Sequence, residues 1–270
     1  MYYAGRSYLK EIRAINSPNR PLLSVVIPAY NEESRLPDTL QRVVAYFRTR
    51  KHPVEIVIVD DGSTDQTASI ALEFTQKHSE VRLIRNEHRG KGYTVRTGVL
   101  QARGERVLVC DADLATPIEE EQKLTRWLEN GYAIAIASRE GLGARRIGEP
   151  FYRHLMGRVF NLITRMVAVG GFQDTQCGFK MFRADAARDI FNRVRLYGDD
   201  AGAVKGAAVT AYDVEVIFLA VKRGYRVKEV PTEWRYGTQT KVNPLRDSMR
   251  NLGDVLRVRL NDWRGRYKET

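Results

Sequence analysis

Val107, Leu108, Val109 and Cys110 form an unbroken apolar run that empties into Asp111-Ala112-Asp113. A short apolar run of this kind reads as a strand buried on both faces, as in a parallel sheet. At the carboxyl end of such a strand, side chains open into the ligand crevice of an α/β fold. Alternation sends residues two apart to the same face, so Asp111 and Asp113 can share one cation. Mg2+ and Mn2+ take hard oxygen ligands, often one or two carboxylates plus substrate phosphates. The spacing points to a metal-bound diphosphate; the plainer alternative is a strand that ends in a polar turn.

The rest of the chain repeats the theme. Strands are expected over Leu22 to Ile27, Glu55 to Val59, Val81 to Arg85 and Tyr132 to Ala137, with helices between them. Ser34 is the expected cap of the first helix and Thr64 or Asp65 of the second. Further helices are expected from Ile118 to Glu129, Phe151 to Val169, near Asp185, and from Tyr212 to Arg223, with a last strand from Tyr225 to Val230. Strand and helix alternate, which predicts a doubly wound, mostly parallel sheet with helices on both faces. Residues 1–20 read as an amphipathic arm, 21–242 as the α/β domain and 243–270 as a basic amphipathic helix. In that last helix Leu245, Met249, Leu252, Leu256, Leu260 and Trp263 fall on one stripe, flanked by Arg246, Arg250, Arg257 and Arg264.

Charge narrows the partners. Lys and Arg number 44 against 33 Asp and Glu, a formal charge of +11. That excess favours anionic partners: phosphorylated substrates, acidic membrane surfaces or nucleic acid. Arginines crowd the stretch from Arg139 to Arg165. The two cysteines, Cys110 and Cys177, are far apart and show no zinc or disulfide spacing, which fits a reducing compartment. No apolar run reaches the roughly 18 residues of a membrane-spanning helix, and the N-terminus has no signal-peptide core, so a soluble or peripheral protein is expected.

Three more turns carry candidate chemistry. Asp60-Asp61 can accept hydrogen bonds from a base and ribose, or can cap a helix. Gly90-Lys91-Gly92 lets backbone approach a nucleotide but lacks the spacing of a Walker loop. Asp213 and Glu215 open a helix, where they either cap it or face the acceptor. A dinucleotide fingerprint is missing after the first strand, and Ser63 has no nucleophile elbow. The four histidines lack metal-ligand spacing and are expected at the surface.

Taken in order, these segments resemble the family 2 glycosyltransferases of the GT-A fold, and most closely the dolichyl-phosphate β-glucosyltransferases. The matching segments are Ser24 to Glu33, Asp60-Asp61-Gly62-Ser63, Gly90-Lys91-Gly92, Asp111 to Leu114, Ala137-Ser138-Arg139, Asp174 to Lys180, Tyr212 to Glu215 and Trp234 to Lys241. The resemblance implies a hexose moved from a nucleotide-sugar donor, UDP-glucose, to a polyprenyl phosphate, with inversion. It implies that Pro28, Tyr30, Glu32 and Asp60 line the nucleoside pocket, joined on the donor side by Lys91 and Ala112. Asp111 would face the sugar or ribose, Asp113 would ligate Mg2+ or Mn2+, and Arg139 would meet the acceptor phosphate or donor diphosphate. Arg235 and Lys241 match a basic pair that clamps the diphosphate, and Asp213 would serve the acceptor side. Ala115 stands where mannosyl relatives often have Gln. The implied setting is the inner face of the cell membrane, with an anionic membrane surface as partner and no nucleic acid. The alternatives are a GDP-mannose-dependent mannosyltransferase, or a basic membrane- or nucleic-acid-binding module. The module explains the charge but not eight ordered turns.

Overall fold

A computed structural model gives the fold; it describes residues 20–50, 52–198, 201–204, 206, 211–237 and 244–267. The arm expected over residues 1–20 lies outside them except for Arg20, whose guanidinium donates to Arg103 O at 2.9 Å.

Nine strands are present among the described residues: β1 (Leu23–Ala29), β2 (Val54–Asp60), β3 (Val81–Arg85), β4 (Arg106–Val109), β5 (Ile134–Ser138), β6 (Arg145–Ile147), β7 (Lys180–Arg183), β8 (Val227–Pro231) and β9 (Glu233–Arg235). The helices are α1 (Leu36–Arg48), α2 (Thr67–Lys77), α3 (Lys91–Gln101), α4 (Glu121–Glu129), α5 (Phe151–Val167), α6 (Ala184–Phe191), α7 (Tyr212–Lys222) and α8 (Pro244–Trp263). The main sheet runs β3-β2-β1-β4-β7-β5-β8. Every pair in it is parallel except those of β7, which is antiparallel to both β4 and β5. Strands β6 and β9 form a separate parallel pair.

The alternation in the central strands does what the sequence predicts. Val107 and Val109 point into one core, with Val26, Val57 and Val59, under α3, α6 and α7. Leu108 and Cys110 point into the other, with Val25, Ile27, Ile56 and Ile58, under α1 and α4. Burying both faces leaves the strand ends as the open places. The order 3-2-1-4 reverses direction at β1, so the crevice lies between the carboxyl ends of β1 and β4, the switch point of an open α/β sheet. Helix α3 sits close beneath it because Gly98 has no side chain: a Cβ there would lie 2.4 Å from Val26 Cγ1 and 2.8 Å from Val59 Cγ2.

Several local expectations change. Helix α1 starts at Leu36 without a Ser34 cap; Glu32 O takes the Arg35 and Leu36 amides instead, at 3.0 and 2.9 Å. At the second helix the N-cap is Gln66, without a side-chain cap bond; Asp65, one residue earlier, accepts from Thr67 N at 2.9 Å. Strands β6, β7 and β9 have no counterpart in the sequence reading. Each has three or four residues, too few to establish an alternation. In α8 the packed face is Asn251, Asp254, Val255, Val258 and Asn261, which rests on α5 and α7. Four residues of the predicted stripe face away: Met249 is 70% exposed, Leu256 54%, Leu260 39% and Trp263 82%; Leu252 is half-buried, and the side chain of Leu245 lies outside those described. Among the described residues no helix is long and apolar enough to cross a membrane.

Candidate active site

The β1 and β2 turns are stitched into one floor. Asn31, in the left-handed region at φ 53°, receives Thr64 N on Oδ1 at 2.9 Å and gives its own amide to Ser63 Oγ at 2.9 Å. Glu32 N donates to Thr67 Oγ1 at 2.7 Å. This holds Pro28 and Tyr30 beside the end of β2, where Asp60 is fully buried. Ser63 N reaches Asp60 Oδ1 at 3.2 Å. Among the described residues, Asp60 Oδ2 has only the outlying Arg85 guanidinium, 3.7 Å away, and no hydrogen-bond donor. A buried acceptor without a donor is costly unless a partner arrives.

Asp61 is used differently from Asp60. It takes the amides of Arg89 and Gly90, at 3.0 and 2.9 Å, and His88 Nδ1 at 2.8 Å. It therefore shapes the turn that presents Lys91. His88 is a correction to the surface assignment of the histidines: it is half-buried, stacks on Tyr30 with ring centroids 3.9 Å apart, and contacts Gly206 O at 3.0 Å.

From that turn Lys91 Nζ reaches Asp111 Oδ1 at 2.6 Å. Among the described residues this oxygen has no further hydrogen-bond donor, so it keeps a lone pair to spare. Burial works against the Lys91 ammonium, but Asp111, then Asp213 and Asp113, more than offset it and raise its pKa. Lys91 is thus a fixed cation beside the carboxylates. Beyond Asp111 the chain turns through buried Ala112 and through Leu114 at φ 45°. Asp113 Oδ1 accepts Ala115 N at 3.0 Å. Enclosure in the cleft, then the Asp111 charge, raises the Asp113 carboxyl, although its own surface is open to solvent. Two carboxylates sharing one turn are short of positive charge, which is the condition a divalent cation relieves. Among the described residues no third Asp, Glu, His or Cys joins them. A hard cation on two carboxylates completes its shell with phosphate oxygens and water. The donor set therefore fits Mg2+ or Mn2+ bound together with a diphosphate.

The segment Asp174 to Lys180 returns beneath this turn. At Gly178 a Cβ would lie 2.0 Å from Asp111 Oδ2 and 2.5 Å from its Cγ, so only glycine leaves room for the Asp111 carboxylate. Lys180, almost fully buried, pairs with Asp213 and also donates to Cys177 O. Burial raises the Asp213 carboxyl, with Lys180 and Lys91 opposing. Lys91, Asp111, Asp213 and Lys180 thus form one alternating charge network. Arg139 is spent on Asp174, through Nε at 2.7 Å and Nη2 at 2.8 Å, with its guanidinium over the Trp234 ring at 5.4 Å. Burial of Asp174 demands that counter-ion; despite the burial, Arg139 lowers the carboxyl to about 2. The guanidinium expected to face a phosphate is therefore first a clamp on the Asp174 loop. Arg235 is tied to the carboxylate turn by its amide, which donates to Ala115 O at 2.7 Å, and its side chain pairs with Glu233 at 2.8 Å. Lys241 lies outside the described residues.

His88, Gly178 and Lys180 are not among the site residues that the sequence points to, although Gly178 and Lys180 lie in the matching segment Asp174 to Lys180. Lys180 carried a signal, since a lysine between Phe179 and Met181 must find a buried partner. Gly178 belonged to a quoted segment, but what it makes room for is visible only in three dimensions.

Residues 24–191 match the model of the family described as Glycosyl transferase family 2. The chain belongs to that family. This family 2 glycosyltransferase is 32% identical to the human dolichyl-phosphate beta-glucosyltransferase, over 94% of this chain and 79% of the relative. It is 36% identical to the Drosophila melanogaster protein of the same name, over 82% of this chain and 69% of the relative. Among solved structures it is similar to glucosyl-3-phosphoglycerate synthase from Mycobacterium tuberculosis in complex with Mn2+, UDP and glucosyl-3-phosphoglycerate. That likeness has a TM-score of 0.61, with 19% identity, 89% of this chain and 79% of the other covered. It shows the GT-A fold.

Proposed function

We propose that this glycosyltransferase moves glucose from UDP-glucose to a polyprenyl phosphate, with inversion, at the surface of an anionic membrane. The observation that carries the reading is the convergence at one switch point of Asp60 with an unmet acceptor, the Asp111–Asp113 turn and the Lys91 cation. The similarity to dolichyl-phosphate β-glucosyltransferases over most of the chain supplies the sugar and the acceptor.

Asp60 accepts from the base or ribose of the donor, and Tyr30, backed by His88, offers its ring to the nucleoside pocket lined by Pro28 and Glu32. Asp113 and Asp111 would hold Mg2+ or Mn2+, which when bound neutralises the departing diphosphate. Lys91, and Arg235 with Lys241, meet the donor phosphates. The acceptor oxygen is already anionic, because a phosphate monoester has its second pKa near about 6, so no strong base is required. That oxygen forms the new bond to the sugar C1 as the bond from C1 to the UDP oxygen breaks, and UDP leaves with the electron pair. Asp111 and Asp213 each lie against a lysine and serve as counter-charges, which favours direct displacement over a glycosyl-enzyme. Arg139 fixes the Asp174 loop at the acceptor side.

The acceptor stays in a bilayer, so the site must come to it. The outward face of α8 carries Met249, Leu256, Leu260 and Trp263, and α5 beside it exposes Phe151, Leu162 and Met166. Arg158, Arg165, Arg250, Arg257 and Arg264 are exposed on the same two helices or just past them. Such a surface suits an interface of anionic head groups, here the inner face of the cell membrane.

The test is direct. The protein is incubated with UDP-glucose, GDP-mannose and other nucleotide sugars, a short-chain polyprenyl phosphate and Mn2+, and lipid-linked sugar is sought by mass. A hexosyl product from UDP-glucose is expected. Product from GDP-mannose alone would move the assignment to a mannosyltransferase, and no product from any donor would overturn it.

A further inference from the structure

Asp254 lies on the inward face of α8, is 2% exposed, and takes no part in the reaction described above. Its Oδ2 accepts two hydrogen bonds, from Tyr197 OH at 2.5 Å and from Ala211 N at 3.3 Å; Arg257 Nη1 lies 3.4 Å from its Oδ1. Both Oδ2 partners border the charge network. The Tyr197 ring lies against Gly92, where a Cβ would come within 2.6 Å of Tyr197 Cγ and 2.9 Å of Tyr212 Cβ. Gly92 directly follows Lys91, whose ammonium is on Asp111. Ala211 stands two residues before Asp213, the partner of Lys180. One buried carboxylate on the outward-facing helix therefore holds both the Lys91 turn and the Asp213 turn.

We infer that Asp254 is a positioning residue: it sets Lys91 through Tyr197 and Asp213 through Ala211, and so ties the seat of α8 to the geometry of the transfer site. Burying a carboxylate is costly unless it is fully bonded. The position is therefore unlike an ordinary packing contact. An apolar residue would serve packing alone; an acceptor is needed only if Tyr197 and Ala211 must be held in place. The turnover arm of the test rests on the proposed function, whereas the exchange arm does not.

The experiment compares Asp254→Ala, Tyr197→Phe and Asp254→Asn with the wild-type chain by amide hydrogen exchange. The amides of Thr94 and Val214 close the first turns of α3 and α7 on Gly90 O and Ala211 O, at 3.1 and 3.0 Å. In Asp254→Ala the exchange of both should rise about tenfold, as one lost hydrogen bond of about 1–1.5 kcal/mol implies; in Tyr197→Phe, which leaves the Ala211 bond to Asp254 in place, only Thr94 should rise. Amides of β1 and β4 should not change, and Asp254→Asn, which keeps an acceptor for the phenol, should restore most of the protection. With UDP-glucose as donor, Asp254→Ala and Tyr197→Phe should raise the donor KM and lower kcat, with Asp254→Asn close to wild type. Unchanged exchange at Thr94 and Val214, or equal acceleration throughout the sheet, would overturn the positioning role. Local acceleration with unchanged kinetics would overturn its part in the reaction. A wild-type chain without transfer from any donor would count against the proposed function instead, and the exchange result would still decide the positioning.

Discussion

Gly178→Ala is the sharpest perturbation the site offers. The added Cβ would lie 2.0, 2.5 and 2.7 Å from Asp111 Oδ2, Cγ and Oδ1. No rotamer of an alanine relieves this, so Asp111 must swing away. The backbone itself tolerates alanine, because Gly178 is not among the positive-φ glycines. The loss is therefore confined to what Asp111 does: its contact with Lys91, 2.6 Å in the native chain, and its share of the metal and diphosphate. One charge-assisted contact is worth about 1.5–3 kcal/mol, so UDP binding in Mn2+ should weaken about 10- to 150-fold. The assay is calorimetric titration of Mn2+ and UDP into both chains, with melting curves as control. The melting temperature should move little, and Gly178→Ala combined with Asp111→Ala should bind no worse than Asp111→Ala alone. Unchanged UDP affinity in Gly178→Ala would refute the reasoning, as would a melting temperature that collapses together with it.

Asp113→Asn should abolish transfer with the fold intact, and chelator should do the same to the wild type; full activity in chelator, measured by product mass, would remove the metal role. Arg235→Ala should weaken donor binding by at least about tenfold, the low end of a charge-assisted contact, read as the donor KM. Burial raises the Glu215 carboxyl from 4.5 to about 7, against the bonds it accepts from Tyr267, Arg195 and Leu196. The native state then holds an extra proton between those two values. The contribution of this group is therefore full below about pH 4.5 and declines as pH rises through about 7, by about 3 kcal/mol in all. Glu215→Gln should flatten that decline in urea melts taken from pH 5 to 8. Leu256 and Leu260 changed together to Ser should abolish sedimentation with anionic liposomes at low salt without changing the melting temperature, and wild-type binding equal on neutral and anionic vesicles would count against an interfacial face.

How far the fold was legible depended on periodicity. Strands β1 to β5 are long enough, or apolar enough, for their two-faced burial to show in the residues themselves, and α3 and α7 follow from their flanks. Strand β7 was hidden because only Met181 and Phe182 are apolar in it, between Lys180 and Arg183, and its antiparallel pairing reverses a direction that strand–helix alternation takes for granted. At the site, the carboxylate turn, Lys91 and Asp60 were legible because chemistry at a strand end follows from residue type and place. The partners of Arg139 and Asp213 were not. Asp174 and Lys180 are 35 and 33 residues away from them in the chain, and nothing local distinguishes a cation that waits for phosphate from one already engaged. In α8 the spacing puts Met249, Leu256, Leu260 and Trp263 on one side, but which way they point is decided by Val255 and Val258 on the other.

The insertion of β7 between β4 and β5 bears on how this site comes into being during synthesis. The first half of the chain carries the β1 and β2 turns, Lys91 and both aspartates, and looks like a self-sufficient nucleotide-binding unit. It is not one. Until Lys180–Arg183 arrives, β4 is an open edge with unpaired amides and carbonyls, the kind that recruits other chains. Asp111 meanwhile lacks the Gly178 wall, and Asp213 has no lysine. A chain cut near residue 170 should therefore aggregate along β4 and fail to bind the donor nucleotide. In the full chain, affinity for that nucleotide should appear only after the sheet has closed.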